Sequence, residues 1–227
     1  MQPLDSAAAI AHLSASDPTM ARIIAENGPF LMQVDDADPF RSLARSIVFQ
    51  QITGKAAATI FDRFVALFGI TPDGHGRPRS DPDWRTVAQP FPSPAAVLAM
   101  DDDTLRSAGL SRQKVASIRS LAEHFASGEL GQEQFETWPD EDVITHLTRV
   151  RGIGRWTAEM FLIFHLNRPD VLPMNDVGIN RAIMRQYGLP AMPKPAEILK
   201  HGEPWRPWAT VACWYLWRTE DPKLPPD

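Results

Sequence analysis

The stretch L-T-R-V-R-G-I-G-R-W-T-A-E-M, residues 147–160, places two glycines on either side of one isoleucine and three arginines around them. Apolar residues recur at helical spacing before these glycines, and a second helical pattern begins near Arg155. A tight turn with Ile153 pointing inward lets the backbone of Gly152 and Gly154 approach a ligand without an intervening Cβ. The stretch therefore predicts a helix, a turn and a second helix.

The same turn is a candidate site for a phosphate group. Exposed N–H groups of a turn, followed directly by a helix N-terminus, form a site that attracts anions. Arg149, Arg151 and Arg155 add positive charge beside it. Glycine also ends many helices that bind nothing. Taken alone, the turn is compatible with either an ordinary helix connection or a phosphate site.

A second informative stretch, D-V-L-P-M-N-D-V-G-I-N-R-A-I, occupies residues 170–183. Asp176 follows a proline-containing turn and precedes the apolar residues Val177 and Ile179. This pattern predicts a carboxylate at a helix N-terminus, where it caps the helix and contributes about 1 kcal/mol. Taken alone, the position requires no chemistry.

Together the two stretches resemble the helix–hairpin–helix DNA glycosylases, in which such a hairpin precedes a proline-containing loop and a catalytic aspartate. The nearest match is to the AlkA-type 3-methyladenine DNA glycosylases. S-I-V-F-Q-Q-I-T at 46–53 and W-R-P-W-A-T-V-A-C-W-Y-L-W at 205–217 agree with it. The resemblance extends from about residue 40 to 217.

The resemblance implies an all-α fold in which two helical subdomains flank an active-site cleft. One subdomain, 40–166, contains the helix–hairpin–helix motif, and the other, 1–39 plus 167–227, carries the catalytic aspartate. The proline pattern agrees, because the long stretches without proline have helical spacing and strand-like alternation is scarce. The proline-rich segment 71–94 reads as a surface loop or insertion of undetermined function.

The implied activity is that of a monofunctional DNA glycosylase, which hydrolyses the N-glycosidic bond of alkylated bases such as 3-methyladenine or 7-methylguanine in base excision repair. Asp176 would stabilise the cationic sugar, orient water, or do both. Trp156 stands where bifunctional members of the family have a lysine, so no strand cleavage is expected. Two alternatives stay open: a glycosylase for deaminated or mismatched bases, and a noncatalytic DNA-binding protein.

The resemblance also assigns a base pocket and a wedge for base flipping. Trp156 and Trp217 match pocket aromatics, whereas Met160 stands where the AlkA pattern has a tyrosine. The segment G-L-S-R-Q-K, residues 109–114, matches the AlkA wedge loop. The candidates for the wedge, in no fixed order, are Leu110, Arg112 and Gln50.

The expected partner is double-stranded DNA with a flipped damaged base, bound by a monomer. DNA contacts are assigned to the hairpin residues Gly152, Ile153, Gly154 and Arg155, together with Arg149. No cofactor is required. The resemblance suggests a monovalent cation, sodium or potassium, at the hairpin; its backbone carbonyl ligands would be those of Thr148, Val150 and Ile153.

Composition limits the alternatives. With 23 Lys plus Arg against 28 Asp plus Glu, the net charge of −5 argues against nonspecific coating of nucleic acid. Basic residues nevertheless concentrate in stretches without acidic residues, namely 39–61, 111–122, 143–158 and the residues after Asp176. These basic residues either form one positive face or are scattered over the surface. The single cysteine, Cys213, excludes an internal disulfide and a four-cysteine iron–sulfur cluster. No apolar run approaches membrane-spanning length and no secretory leader is evident, so we expect a cytoplasmic protein.

Overall fold

The computed structural model describes residues 4–35, 37–71 and 90–220. These residues form α-helices, one short 3-10 helix and connecting turns, with no β-strand among them. The all-α prediction is confirmed. The chain divides into two compact units, Asp35–Phe161 and Met1–Val34 with Leu162–Asp227. The boundaries after residues 34 and 161 lie a few residues before the predicted ones, after 39 and 166, and the second boundary falls within a helix.

The unit Asp35–Phe161, called the hairpin unit below, consists of seven described helices and the beginning of an eighth. They are α3 (Pro39–Phe49), α4 (Gly54–Ala66), α5 (Pro94–Ala99), α6 (Asp102–Ser107), α7 (Arg112–Ala126), α8 (Gln132–Thr137), α9 (Asp140–Leu147) and the first part of α10 (Arg155–Phe164). Side chains of N-cap residues define several helix starts. Asp38, Ser93, Asp101 and Ser111 each accept a backbone N–H from the first turn.

Phenylalanine rings form much of the core of the hairpin unit. Phe61 stacks on Phe91 with ring centroids 5.6 Å apart, and Phe40 contacts Phe91 and Phe125. Phe135 packs against Phe161 at 5.0 Å. Edge and offset contacts of this kind stabilise a core beyond the burial of ring surface. They hold α3, α4, α7 and α10 around one interior.

The other unit, called the aspartate unit below, combines the two ends of the chain. Besides the last part of α10, its helices are α1 (Ser6–Ser16), α2 (Pro18–Asn27), α11 (Val177–Gln186), α12 (Pro195–Gly202), a 3-10 helix (Glu203–Trp205) and α13 (Ala209–Glu220). Apolar side chains from these helices form one buried cluster, with Trp205 and Tyr215 among its largest members.

A polar network inside the aspartate unit fixes the far end of α11. Asp17 caps α2 through the backbone N–H groups of Thr19 and Met20. Its second oxygen, Oδ2, accepts the Tyr187 hydroxyl at 2.5 Å and Trp205 Nε1–H at 2.9 Å. Burial and the Asp17 hydrogen bond raise the pKa of Tyr187, so this hydroxyl remains a donor. The C-terminal end of α11 is thereby tied to α2.

Among the described helices, none combines the length and apolarity that crossing a lipid bilayer requires. The greater part of the proline-rich segment, residues 72–89, lies outside the described residues.

Candidate functional site

The helix, turn and helix predicted from residues 147–160 are present. α9 ends at Leu147, α10 begins at Arg155, and the N–H of Ile153 donates to the carbonyl of Val150 at 3.1 Å. Ile153 is buried, with 4% of its surface exposed, as the inward orientation requires. The hairpin therefore has an apolar anchor beneath an exposed glycine backbone.

The two hairpin glycines have different structural requirements. Gly152 has a φ of +81°, and a Cβ there would lie 2.4 Å from Ser117 Oγ. Gly154 is not left-handed, and nothing lies within 4 Å of the position that its Cβ would occupy. Gly152 is thus needed for the turn itself. The missing side chain at Gly154 leaves open space on the exposed side of the hairpin.

A polar stripe on α7, formed by Lys114, Ser117 and Ser120, lies against the hairpin and the α3–α4 turn. These residues follow one another at three-residue steps and so share one helix face. Lys114 Nζ donates to the carbonyls of Val48 at 2.6 Å and Gln50 at 3.0 Å, at the C-terminal end of α3. Burial lowers the pKa of Lys114.

The stripe reaches the hairpin as well. Ser120 Oγ accepts the backbone N–H of Arg151 at 3.1 Å, and Ser117 lies beneath Gly152. Gln50 completes the connection, since its Nε2 donates to the carbonyl of Gly152 at 3.0 Å. One face of α7 therefore holds the α3–α4 turn and the hairpin in fixed register.

A small polar pocket opens where these elements meet. Its volume is about 80 Å³, and it is lined by Gln50, Gln51, Ser111, Gln113, Lys114 and Ser117. The lining includes amide, hydroxyl and ammonium groups, which can donate hydrogen bonds to polar ligands.

The wedge candidates are placed very differently. Leu110 is only 4% exposed, and the Gln50 amide is bound to the hairpin carbonyl. Arg112 is exposed at the first position of α7. Sequence reasoning missed the neighbouring turn residues Gln51 and Ile52, which are both exposed, with Gln51 left-handed at a φ of 59°. An apolar isoleucine in the short turn between α3 and α4, three residues after the helix end, was the signal in the sequence that could have identified them.

Two of the basic residues assigned to DNA contact form ion pairs within the hairpin unit. Arg155 pairs with Glu141 at 2.5 Å and with the buried Glu159 at 2.9 Å. The Glu141 hydrogen bond raises the pKa of Arg155, and the same bond lowers the pKa of Glu141. Arg149 pairs with Glu129 at 2.9 Å. Each of these two arginines thus already has an acidic partner.

The acid-free stretches do not place all of their cations on one surface. Arg41 is 4% exposed and lies over the ring of Phe61. Arg119 is bound to Asp102 and to the carbonyl of Leu98. Among the cations of these stretches, Arg112 and Arg151 are exposed near the α7 stripe and the hairpin.

In the aspartate unit, Asp176 is the N-cap of α11 and is 7% exposed. The backbone N–H of Asp176 donates to the carbonyl of Pro173 at 2.9 Å, and this turn places Asp176 at the start of α11. Its Oδ1 accepts the N–H of Ile179 at 2.8 Å and the indole Nε1–H of Trp217 at 3.0 Å. The side chain of Asn180 reinforces the loop by donating to the carbonyl of Met174.

The three predicted pocket residues differ in their exposure and in the helix that carries them. Trp217, on α13, is half-buried and stacks on Phe164 with centroids 5.6 Å apart. Trp156, near the start of α10, is 46% exposed. Met160 follows it by four residues on the same helix and is half-buried. An exposed tryptophan next to the hairpin can stack on a base without first leaving a core position.

The part of the chain that the structure describes contains no group of three or more His, Cys, Asp or Glu side chains that could hold a metal ion. The candidate cation ligands at the hairpin are instead backbone carbonyls. The carbonyl of Val150 accepts the N–H of Ile153 with one lone pair and retains a second. Backbone carbonyl oxygens can replace the hydration shell of a monovalent cation such as potassium, so this ligand set fits one.

The hairpin, the loop before α11 and the all-helical architecture define a class of base-excision DNA repair proteins. A family model described as HhH-GPD superfamily base excision DNA repair protein matches residues 44–207. The chain belongs to this superfamily.

Relatives are similar over most of the chain. DNA-3-methyladenine glycosylase 1 of Schizosaccharomyces pombe is 35% identical over 211 residues, which cover 92% of this chain and 85% of that protein. DNA-3-methyladenine glycosylase 2 of Escherichia coli is 28% identical over 81% of this chain and 58% of that protein.

Solved structures agree. The S. pombe 3-methyladenine DNA glycosylase in complex with abasic DNA is 34% identical, with a TM-score of 0.70, and the match covers 96% of this chain and 98% of that one. A DNA-3-methyladenine glycosidase from Bacillus halodurans is also 34% identical, with a TM-score of 0.79, over 94% of this chain and 89% of that one.

Proposed function

We propose that this chain is a monofunctional DNA glycosylase that hydrolyses the N-glycosidic bond of alkylated bases, of the 3-methyladenine or 7-methylguanine type. The observation that carries the proposal is Asp176, a buried carboxylate at the N-terminus of α11 that is held by Trp217. Membership of the HhH-GPD superfamily and the names of the similar proteins support the substrate class.

Departure of the base leaves positive charge on the deoxyribose, and a nearby carboxylate stabilises that charge. At about 4 Å and an effective dielectric constant near 20, the attraction is roughly 4 kcal/mol, which corresponds to about a thousandfold in rate. An alkylated purine already carries positive charge and leaves readily, so little acid catalysis is needed. Asp176 supplies the charge stabilisation, and it can also orient the attacking water.

The test is the substitution Asp176→Asn, because asparagine is also a good N-cap and preserves the helix start. Single-turnover release of methylated purines from duplex DNA should fall at least a hundredfold, while binding to an abasic-site analogue is retained. Asp101→Asn is the matched control. Asp101 caps α6 through the N–H of Thr104, and its loss of charge should leave the rate unchanged.

Retained activity in Asp176→Asn would refute the assigned role. A panel of duplexes with methylated, deaminated and mismatched bases separates the proposed substrate class from other glycosylase activities. A wild-type chain that binds DNA and releases nothing would be a noncatalytic DNA-binding protein.

DNA docking is proposed for the exposed hairpin face around Gly154 and for the α3–α4 turn, whose register α7 fixes. The proposed wedge comes from this turn, where Gln51 and Ile52 are exposed, rather than from Leu110, which would have to leave its packing. The bound DNA is duplex with the damaged base flipped out, and the chain acts as a monomer in the cytoplasm. The base-flipping rates of the variants Ile52→Ser and Leu110→Ala, each compared with the wild type, distinguish the two wedge candidates.

A sodium or potassium ion at the hairpin, held by the carbonyls of Thr148, Val150 and Ile153, belongs to the same proposal. Such an ion would supply positive charge toward a DNA phosphate and takes no part in bond cleavage. Replacing potassium by tetramethylammonium at constant ionic strength should weaken DNA binding. Unchanged affinity would contradict this site.

A further inference from the structure

The indole of Trp217 has a polar contact that its predicted role as a base-pocket aromatic does not require. Its Nε1–H donates to Asp176 Oδ1 at 3.0 Å, and its ring stacks on Phe164 at an interplanar angle of 29°. The stacked ring orients the N–H, so the donor is directed at the carboxylate by packing as well as by hydrogen bonding.

Gly178 makes room for this contact. A Cβ at this position would lie 3.1 Å from Asp176 Oδ1 and 3.2 Å from Trp217 Cδ1. Both distances are shorter than ordinary contacts, so any side chain here would press on the carboxylate and the indole together. The glycine in the first turn of α11 allows the two groups to meet.

Two donors on one oxygen fix the carboxylate more firmly than one. The N–H of Ile179 belongs to the helix backbone, whereas the indole N–H comes from α13. A helix cap alone leaves the carboxylate able to rotate about its bond to Cβ. The second donor, from another helix, restricts that rotation. Preorganised charge of this kind is effective where a cation develops in the transition state.

We infer that Trp217 is a positioning residue, whose indole N–H holds the Asp176 carboxylate in the orientation used for glycosidic bond cleavage. The inference rests on the proposed function and adds to it a specific second residue for the reaction. It assigns the nitrogen of the indole a role that is separate from stacking of its ring.

The first variant is Trp217→Phe, which keeps an aromatic ring beside Phe164 and removes the donor. Loss of one hydrogen bond to a charged group corresponds to about a tenfold or greater loss of single-turnover rate. The dissociation constant for a duplex with an abasic-site analogue should stay unchanged. Trp214→Phe is the matched control, because Trp214 lies three residues earlier on α13 with its ring against Phe30.

A sharper variant replaces Trp217 by 3-benzothienylalanine, in which sulfur takes the place of the N–H and the ring shape is kept. This isostere should lose as much rate as Trp217→Phe. Neither change should lower the rate further when Asp176 is already asparagine. In ¹⁵N-tryptophan-labelled protein, the indole N–H resonance of Trp217 should shift in Asp176→Asn, whereas that of Trp214 stays in place.

An isostere with the wild-type rate would overturn the inference, because the ring alone would then be sufficient. Equal losses with and without the Asp176 charge would also overturn it. A wild-type chain that releases no methylated base refutes the proposed function whatever the Trp217 variants do. An active wild type with an equally active isostere refutes this inference alone.

Discussion

Alanine at each of the two hairpin glycines should separate folding of the turn from docking of DNA. Gly152→Ala places a methyl group 2.4 Å from Ser117 Oγ at a φ of +81°. Gly154→Ala places the same group in open space on the exposed side of the hairpin. The two changes are chemically identical and lie two residues apart, so each serves as the control for the other.

The magnitudes follow from the geometry. A left-handed alanine costs about 1–2 kcal/mol, and rotating Ser117 away from its bond to the Gln113 carbonyl costs about 1 kcal/mol more. Gly152→Ala should therefore lower the free energy of unfolding by about 2–3 kcal/mol and Tm by at least about 4 °C. Gly154→Ala should leave stability unchanged or raise it by up to about 1 kcal/mol, since it restricts the unfolded chain.

DNA binding should show the opposite order. A methyl group at Gly154 obstructs the approach of a phosphate to the hairpin, so affinity for all duplex sequences should fall about tenfold. The logarithm of the association constant falls linearly with the logarithm of the salt concentration, and this slope should become shallower by about 0.9, the value for one lost phosphate contact. Fluorescence anisotropy over a salt series and thermal unfolding measure both properties. Wild-type affinity and slope for Gly154→Ala would refute docking at the hairpin.

Three further predictions concern the hairpin unit. Arg155→Met should lower the free energy of unfolding by about 2 kcal/mol, because the buried Glu159 loses its ion pair with Arg155, and should leave the salt slope of DNA binding unchanged; Arg151→Met should leave stability unchanged and make that slope shallower. Equal slopes for the two variants would contradict this assignment. Lys114→Met should lower the free energy of unfolding, measured with urea, by about 2 kcal/mol, because two carbonyls at the end of α3 lose their donor. An unchanged urea midpoint would argue against the α7 stripe as the support for the α3–α4 turn. With Trp156 in place of a lysine, strand breaks should appear only after alkali treatment, and borohydride should trap no covalent adduct with DNA; a trapped adduct would show lyase chemistry.

Local features of the fold were predictable from the sequence because neighbouring residues determine them. The hairpin follows from the glycines at 152 and 154 with an apolar residue between them. The start of α11 follows from a carboxylate after a proline-containing turn. Asp5 and Asp38 begin their helices in the same way, each by accepting the N–H of the residue three positions on.

The surroundings of the site depended on contacts between residues that are distant in sequence. Arg149 and Arg155 are predicted to contact phosphate, but the sequence did not reveal their acidic partners Glu129 and Glu141, which lie 20 and 14 positions earlier in the chain. The i,i+4 spacing of Arg155 and Glu159 was the one local signal of this pairing. Burial of Leu110 likewise depends on packing, which an apolar residue in a short loop does not reveal.

Asp176 illustrates why capping and catalysis are compatible assignments for one side chain. A helix cap needs only the N–H of Ile179, and the sequence alone supports nothing more. The structure adds an indole donor from a residue 41 positions away and a glycine at 178 that lets the donor approach. Neither addition is needed to begin a helix. Both fit the inferred role, in which a buried carboxylate is held in one orientation to stabilise a sugar cation.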